Sequence, residues 1–320
     1  MVKMKEYTAI YAGIDVSKAH LDVYLHPEGS RRRFNNDETG HRALRAWLTA
    51  ARPEGVVYEA TGPYHKGVER YLGGHGFAIA RLDARRARRF AEAIGVNAKT
   101  DPIDARMLAR FGAYLKLPAI VVPEPALEQL KELVAARRSL VAQRTRIANR
   151  RKIVTSPLLK RQLRQSAEQV ARQIARIDAE CHVQAMADPG LARRFAILMS
   201  ICAIGKVTAM TLLADMPELG NLNDKQAASL MGVAPVARDS GMFRGKRRIR
   251  GGRAQVRKAV YMAALVATRF NADMKRKYQS LIENGKPPKL ALTAIMRKLI
   301  ILANALIRDD RMWTKTRPCS

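Results

Sequence analysis

The sequence predicts an α/β N-terminal domain, a mixed sheet with flanking helices, then a helical hairpin and a mostly α-helical C-terminal domain. Three observations carry this. Residues 7–118 alternate short β-branched and aromatic runs with helically spaced apolar residues. Residues 124–187 hold no strand pattern and little glycine. From 190 to 312 helical patterns return, broken by one glycine-rich basic run at 238–253.

The elements follow in order. YTAIYAGI and LDVYLH read as paired strands, and RRRFNN as a third, basic edge strand. From Asp37, DETGHRALRAWLTAA has helical spacing at Leu44, Trp47 and Leu48. GVVYEA is a buried strand, followed by a helix near 64–73, the strand FAIARL after GGHG, a helix over 83–93, and a last helix in DPIDARMLARFGAYL. Three early strands followed by alternating elements make a mixed sheet covered by helices. Next, Leu163, Ala167, Val170, Ile174, Ile177 and Cys181 recur at heptad-like steps. A rougher stripe runs through Leu127, Leu130, Val134, Val141 and Ile147, and Ser156-Pro157 breaks the two helices apart. This predicts a long hairpin, either an ordinary helical core or a protruding or oligomerising arm. ICAIGKVTAMTLLADM reads as helix, glycine turn, helix, and such a turn can offer backbone N–H groups to a phosphate. KLALTAIMRKLIILANALI is a core helix. The domain boundaries expected are 1–120, 121–189 and 190–320.

The chain of 320 residues carries a net charge of +30, which points first to nucleic acid. The charge is uneven: +7 over residues 1–120, +6 over 121–190 and +17 over 191–320. No segment approaches about 18 uninterrupted apolar residues, and the N-terminus has no signal-peptide core, so a cytoplasmic protein with no membrane partner is expected. Cys181, Cys202 and Cys319 are far apart and form no zinc pattern, and the six histidines are scattered.

Four carboxylates stand out in this basic chain. Asp15 and Glu59 each end a strand, where open sheets place their ligands. Asp101 and Asp104 lie at i and i+3, on one face of the last helix of the first domain. Converging acids need cations, and hard oxygen donors favour Mg²⁺ or Mn²⁺. Asp101 before a proline is also an N-cap with Asp104 at N3, and capping alone would account for that pair. The order strand acid, strand acid, helical pair fits a ribonuclease-H-like nuclease core.

The run RDSGMFRGKRRIRGGR, residues 238–253, holds seven basic side chains, four glycines and Ser240. Arg238, Arg244, Lys246, Arg247, Arg248, Arg250 and Arg253 suit a DNA backbone, and the glycines allow close approach. Composition alone describes a flexible nucleic-acid-binding loop in which Ser240 is a cap or is solvated. No GxxxxGK[ST] phosphate loop is present.

GIDVSK, EATGPYH, AKTDPIDARMLARF, IGKVTAMTLLADM, LMGVAPVARDSGMFRGKRRIRGG and GKPPKLALTAIMRKLI, in this order, resemble the DEDD-type insertion-sequence transposases, the "IS one-ten" family. CAIG departs from the proline-containing turn expected ahead of the glycine hairpin. The resemblance implies a resolvase-like N-terminal domain and a C-terminal transposase domain. It implies that Asp15, Glu59, Asp101 and Asp104 bind one or two Mg²⁺ or Mn²⁺ ions, and that Ser240 is the nucleophile of a composite site. It also implies donor and target DNA, an element-encoded bridge RNA as guide, a homo-oligomer (dimer or tetramer), and action at the nucleoid of a prokaryotic cell. The alternative is a metal-dependent junction-resolving nuclease in which water attacks, and beyond it a non-catalytic nucleic-acid-binding protein.

Overall fold

A computed structural model of the chain describes residues 9–60, 62–93, 101–120, 124–236, 239–240, 243–244 and 247–314. The chain divides into two compact units, Met1–Pro123 and Glu124–Ser320.

In the first unit, β1 (Tyr11–Val16), β2 (His20–His26) and β3 (Arg31–Asn35) form an antiparallel meander. Helix α1 (Glu38–Ala51) follows, its N-terminus capped by Asp37, whose carboxylate accepts the Gly40 N–H at 2.7 Å. Then come β4 (Gly55–Glu59), α2 (His65–Gly74), β5 (Ile79–Leu82), α3 (Ala84–Ala93) and α4 (Asp101–Leu115). The sheet order is β3-β2-β1-β4-β5, with β4 parallel to both β1 and β5. A strand's alternation divides its side chains between two cores. Ala12, Ile14 and Val16 join Leu44 and Leu48 of α1 and Val68 and Leu72 of α2. On the opposite face, Val57, Ala80 and Leu82 meet Met107, Leu108 and Phe111 of α4. The mixed sheet with flanking helices is therefore as the alternating pattern predicts, and the basic strand lies at an edge where only Phe34 is buried.

The second unit begins with the helical hairpin, α5 (Pro125–Ile153) and α6 (Pro157–Ala187), each opened by a proline at its first turn. Every residue of the predicted seam, from Leu163 to Cys181, is buried or half-buried, and so is every residue of the rougher α5 stripe. Arg137 of α5 donates to Asp178 of α6 and ties the pair near its base. Beyond lie α7 (Pro189–Ser200), α8 (Lys206–Asp215) and α9 (Asp224–Met231). After them come four two-residue strands, β6 (Pro235–Val236), β7 (Asp239–Ser240), β8 (Phe243–Arg244) and β9 (Arg248–Ile249). Helices α10 (Ala254–Phe270), α11 (Ala272–Glu283) and α12 (Pro288–Arg308) complete it. Helix α12 is long and apolar enough to cross a membrane, yet half of its most apolar stretch is buried in the unit. Ile295, Leu299, Ile300 and Ala303 sit in the core, and buried Asn304 accepts the Gly220 N–H at 2.8 Å and donates to the Leu222 carbonyl at 2.6 Å. This is a core helix.

The basic run departs from the loop expected of it. Strand β6 pairs with β9 and β7 with β8, both antiparallel. Two-residue strands leave no alternation to read, and the glycines and arginines of this run carry no β signal.

Candidate catalytic site

The position of α4 decides where the acids lie. A Cβ placed on Gly13 of β1 would stand 2.1 Å from the Ala105 carbonyl oxygen and 2.4 Å from the Ala109 nitrogen. Farther along the helix, Gly112 lies against Val57 and Tyr11. Helix α4 thus runs back along β1, from Gly13 toward Tyr11, and its first turn overhangs the C-terminal end of the strand. Asp101 and Asp104 belong to that turn. Asp15 shares the face of Gly13, two residues on. The register that pairs Gly13 with Val57 and Ile14 with Tyr58 brings Asp15 and Glu59 next, side by side on parallel strands. Asp15, Glu59 and Asp104 are all half-buried; of Asp101 the backbone alone is described. The positive end of the α4 dipole favours carboxylates here.

Carboxylate oxygens are the donors that hard divalent cations take, so Asp15, Glu59 and Asp104 are of the donor type that suits Mg²⁺ or Mn²⁺, and Asp101 adds a fourth carboxylate by sequence. Among the described residues, no three such groups already converge into a metal-holding cluster.

Asp22, which no motif in the sequence marks, stands opposite Asp15 on β2. Its carboxylate takes both a 2.8 Å and a 2.9 Å hydrogen bond from Arg33 of β3. The alternation of HLDVYLH could have placed it on this face. Behind Glu59, on the other side of the sheet, buried Glu69 of α2 accepts from Arg81 at 2.9 Å and from the Tyr58 hydroxyl. That cluster locks α2 to β4 and β5.

Asn36 holds the loops that follow both strand acids. Its amide nitrogen donates to the Ser17 carbonyl at 2.8 Å and the Tyr64 carbonyl at 3.1 Å. Its oxygen is then free to accept from His41 Nε2, 2.9 Å away. Burial pushes His41 below the ordinary histidine range, with Asp37 opposing. His26 is also lowered, by burial and then by Arg110 and Arg106. For both, the unfolded chain binds the proton more tightly than the folded one, so stability is complete above about pH 6.5 and falls as pH drops below it. Thermal melts of the protein should therefore shift downward between about pH 7 and 5. His41→Gln, which keeps a donor toward Asn36, should flatten part of that slope; an unchanged slope would remove His41 from the account.

In the second unit, Ser240 pairs with Phe243 at the end of the β7–β8 ladder. Gly241 and Met242, which join them, and Arg238 and Lys246 lie outside the described residues. For Arg244 the structure describes backbone alone, whereas Arg247, Arg248 and Arg250 are exposed. The base of this hairpin is anchored firmly. Gly252 packs its backbone on Gly232 at the end of α9, where an added Cβ would stand 2.3 Å from the Gly232 nitrogen. The Arg253 N–H donates to the Leu230 carbonyl at 2.8 Å, and Arg257 donates to the Gly251 carbonyl at 2.7 Å. The Arg253 guanidinium donates twice to Glu218 at 2.6 Å and to the Asp215 carbonyl at 2.7 Å. Burial works to raise the Glu218 carboxyl, but hydrogen bonding from Arg253 outweighs it and leaves the group below its usual value. Arg253 is thus held within the unit, unlike the exposed arginines it was grouped with.

A DEDD-type transposase model matches residues 12–154, covering the strand acids, the helical pair and α5. The model of the transposase IS116/IS110/IS902 family matches residues 195–279, which include the serine hairpin. The chain belongs to this transposase family. The transposase is similar along its length to two curated relatives, the pilin gene-inverting proteins of Moraxella bovis and Moraxella lacunata. Each is 27% identical over 320 residues, covering 95% of this chain and 98% of the relative. Family membership makes the transposase a DNA-recombining enzyme. The first match covers Asp15, Glu59, Asp101 and Asp104, and the second covers Ser240.

Proposed function

We propose that this transposase cuts and exchanges DNA strands through a covalent phosphoserine at Ser240, with Asp15, Glu59, Asp101 and Asp104 as its metal-binding acids. The observation that carries the reading is the overhang of the first turn of α4 above the ends of β1 and β4. It gathers three half-buried strand and helix acids on one face of a very basic protein. The strand order, with β1 central, antiparallel to β2 and parallel to β4, supports a ribonuclease-H-like domain.

The Ser240 hydroxyl attacks a backbone phosphorus. A serine–phosphorus ester forms as a DNA phosphorus–oxygen bond breaks; the serine loses its proton and the departing DNA oxygen gains one. A DNA hydroxyl end then attacks the phosphoserine, reversing each change and leaving the strands exchanged. The number of phosphoesters is conserved, so ATP is unnecessary. When bound, Mg²⁺ or Mn²⁺ supplies polarisation of the scissile phosphate. Exposed Arg247, Arg248 and Arg250, with Arg238, Arg244 and Lys246, hold the backbone beside the serine. Acids and serine lie in different units of the chain, which suits a composite site completed within a dimer or tetramer. An element-encoded bridge RNA pairing with donor and target DNA selects the sites. The names of the two relatives extend the reading to inversion of a DNA segment.

A covalent-trapping assay tests this. Protein, Mg²⁺, labelled DNA spanning the element's ends and target, and RNA from the element's flanks are resolved on a denaturing gel. The intact protein should give an RNA-dependent adduct that Ser240→Ala and Asp104→Asn both lose. Cleaved DNA without an adduct in either the intact protein or Ser240→Ala would replace the phosphoserine with attack by water.

A further inference from the structure

The far end of the α5–α6 hairpin carries a charge pattern that the site described above does not use. Between residues 139 and 167 there are eight Arg and Lys side chains and no Asp or Glu. All eight are exposed. At the base of the same arm the arginines are spoken for: Arg137 pairs with Asp178, and Arg138 with Asp215 of α8. Toward the tip, the ion pair among the described residues is the exposed contact of Arg164 with Glu168, at 3.8 Å, a separation of little energetic weight.

The geometry matches the charge. No residue from 139 to 169 is buried. From residue 139 to the end of α5 the helix extends about 20 Å at 1.5 Å per residue. Arg150, Arg151 and Lys152 close α5, while Lys160, Arg161 and Arg164 open α6, so cations flank the turn on both helices. An open hollow lined by Arg151, Pro157, Lys160, Arg161 and Arg164 lies between them. The turn itself exposes Ile153 (80%), Leu158 (60%) and Leu159 (40%). A tip built only to be solvated has no use for an apolar knuckle among its cations.

Eight like charges on so short a rod repel one another across distances comparable to the roughly 10 Å screening length at 0.1 M salt. Apposing two such tips would add repulsion between them to the repulsion within each, which disfavours self-association there. A polyanion relieves it, releasing the polyanion's condensed counterions as it binds. We infer that the distal arm is a second DNA-binding element, gripping the backbone of a duplex independently of sequence, separate from the phosphate handled at Ser240. The duplex is DNA because the enzyme recombines DNA. The role of the arm would be to hold a flank of the substrate while the hairpin engages the cleaved strand.

The test uses the full-length protein in EDTA with a labelled duplex of about 30 base pairs and arbitrary sequence, titrated at salt from about 50 to 200 mM. The variant combines Arg150→Ala, Arg151→Ala, Lys160→Ala and Arg161→Ala, all at exposed positions, and its melting temperature should match the parent's. Affinity at about 0.1 M salt should fall at least tenfold. The slope of log K against log salt should shrink by about 3 to 4, near 0.9 for each phosphate that the variant leaves unneutralised. Unchanged affinity and slope would overturn the inference. So would unchanged DNA binding with weaker binding of an RNA duplex, which would give the arm to RNA. A lower assembly mass with the slope preserved would overturn it in favour of oligomerisation. None of the four residues belongs to the acidic face or the Ser240 hairpin, and EDTA suspends the chemistry, so failure here leaves the strand-exchange reading standing.

Discussion

Gly13→Ala should abolish recombination and lower the melting temperature of the N-terminal unit sharply. The new Cβ would lie 2.1 Å from the Ala105 carbonyl oxygen and 2.4 Å from the Ala109 nitrogen. Both obstacles are helix backbone, so no side chain can swing aside. The helix must lift from the sheet, opening the core that Val57, Leu108 and Phe111 share. Overpacking of a core costs roughly 1–3 kcal/mol and occasionally more; here a whole helix moves, which places the loss at or above that upper end. Against a total stability of about 5–15 kcal/mol this is a large fraction. The same displacement carries Asp104 away from Asp15 and Glu59, so activity should fall further than stability alone requires. Gly74→Ala is the control, because nothing lies within 4 Å of a Cβ there and alanine favours a helix. Melts followed by circular dichroism, with recombination assays below the transition, separate the two losses. A Gly13→Ala protein that melts like its parent would show that α4 does not press on β1 as described.

Much of this was legible in the sequence, and the parts that were not share a cause. The strands expected in YTAIYAGI and LDVYLH, the helix DPIDARMLARFGAYL and the hairpin seam all announce themselves through periodicity; among the described residues each is present, with the first strand running on past Ile14 to Val16. Periodicity reports which face of an element is apolar. It does not report which elements meet, so nothing in the sequence said that α4 runs antiparallel to β1 with its first turn over Asp15. That follows from two glycines, Gly13 and Gly112, whose missing side chains admit the helix and the tyrosine, respectively. Asp22 escaped notice for the same reason: its partnership with Arg33 is a matter of register between strands. Asn36 escaped because its work is done by hydrogen bonds to main-chain carbonyls at Ser17 and Tyr64, far apart in sequence. The basic run has the composition of a loop because its strands are only two residues long, and composition cannot set Arg253 apart from its neighbours because it does not show Glu218 beneath it.

Gly252→Ala should disable the serine hairpin while leaving the N-terminal unit intact. Gly252 has φ of +67°, a conformation that L residues adopt at a cost of roughly 1–2 kcal/mol. Strain is the smaller part. An added Cβ would lie 2.3 Å from the Gly232 nitrogen, 2.4 Å from its Cα and 2.7 Å from the Met231 carbonyl carbon, all main-chain atoms at the end of α9. The next residue, Arg253, holds both the Leu230 carbonyl and Glu218, so the chain cannot yield on that side without breaking them. The base of the hairpin must shift instead, and Ser240 moves with it. Misplacing a reacting group by about 1 Å can cost about 100-fold in rate, and recombination should fall by at least that much. Gly251→Ala is the matched comparison: its φ is +71°, yet nothing lies within 4 Å of its Cβ. That variant bears the strain without the collision and should retain much more activity. Recombination rates for the two variants, with melting curves to show that each still folds, decide the matter. Equal losses would mean that backbone strain, and not the packing of Gly252 on α9, governs the placement of the serine.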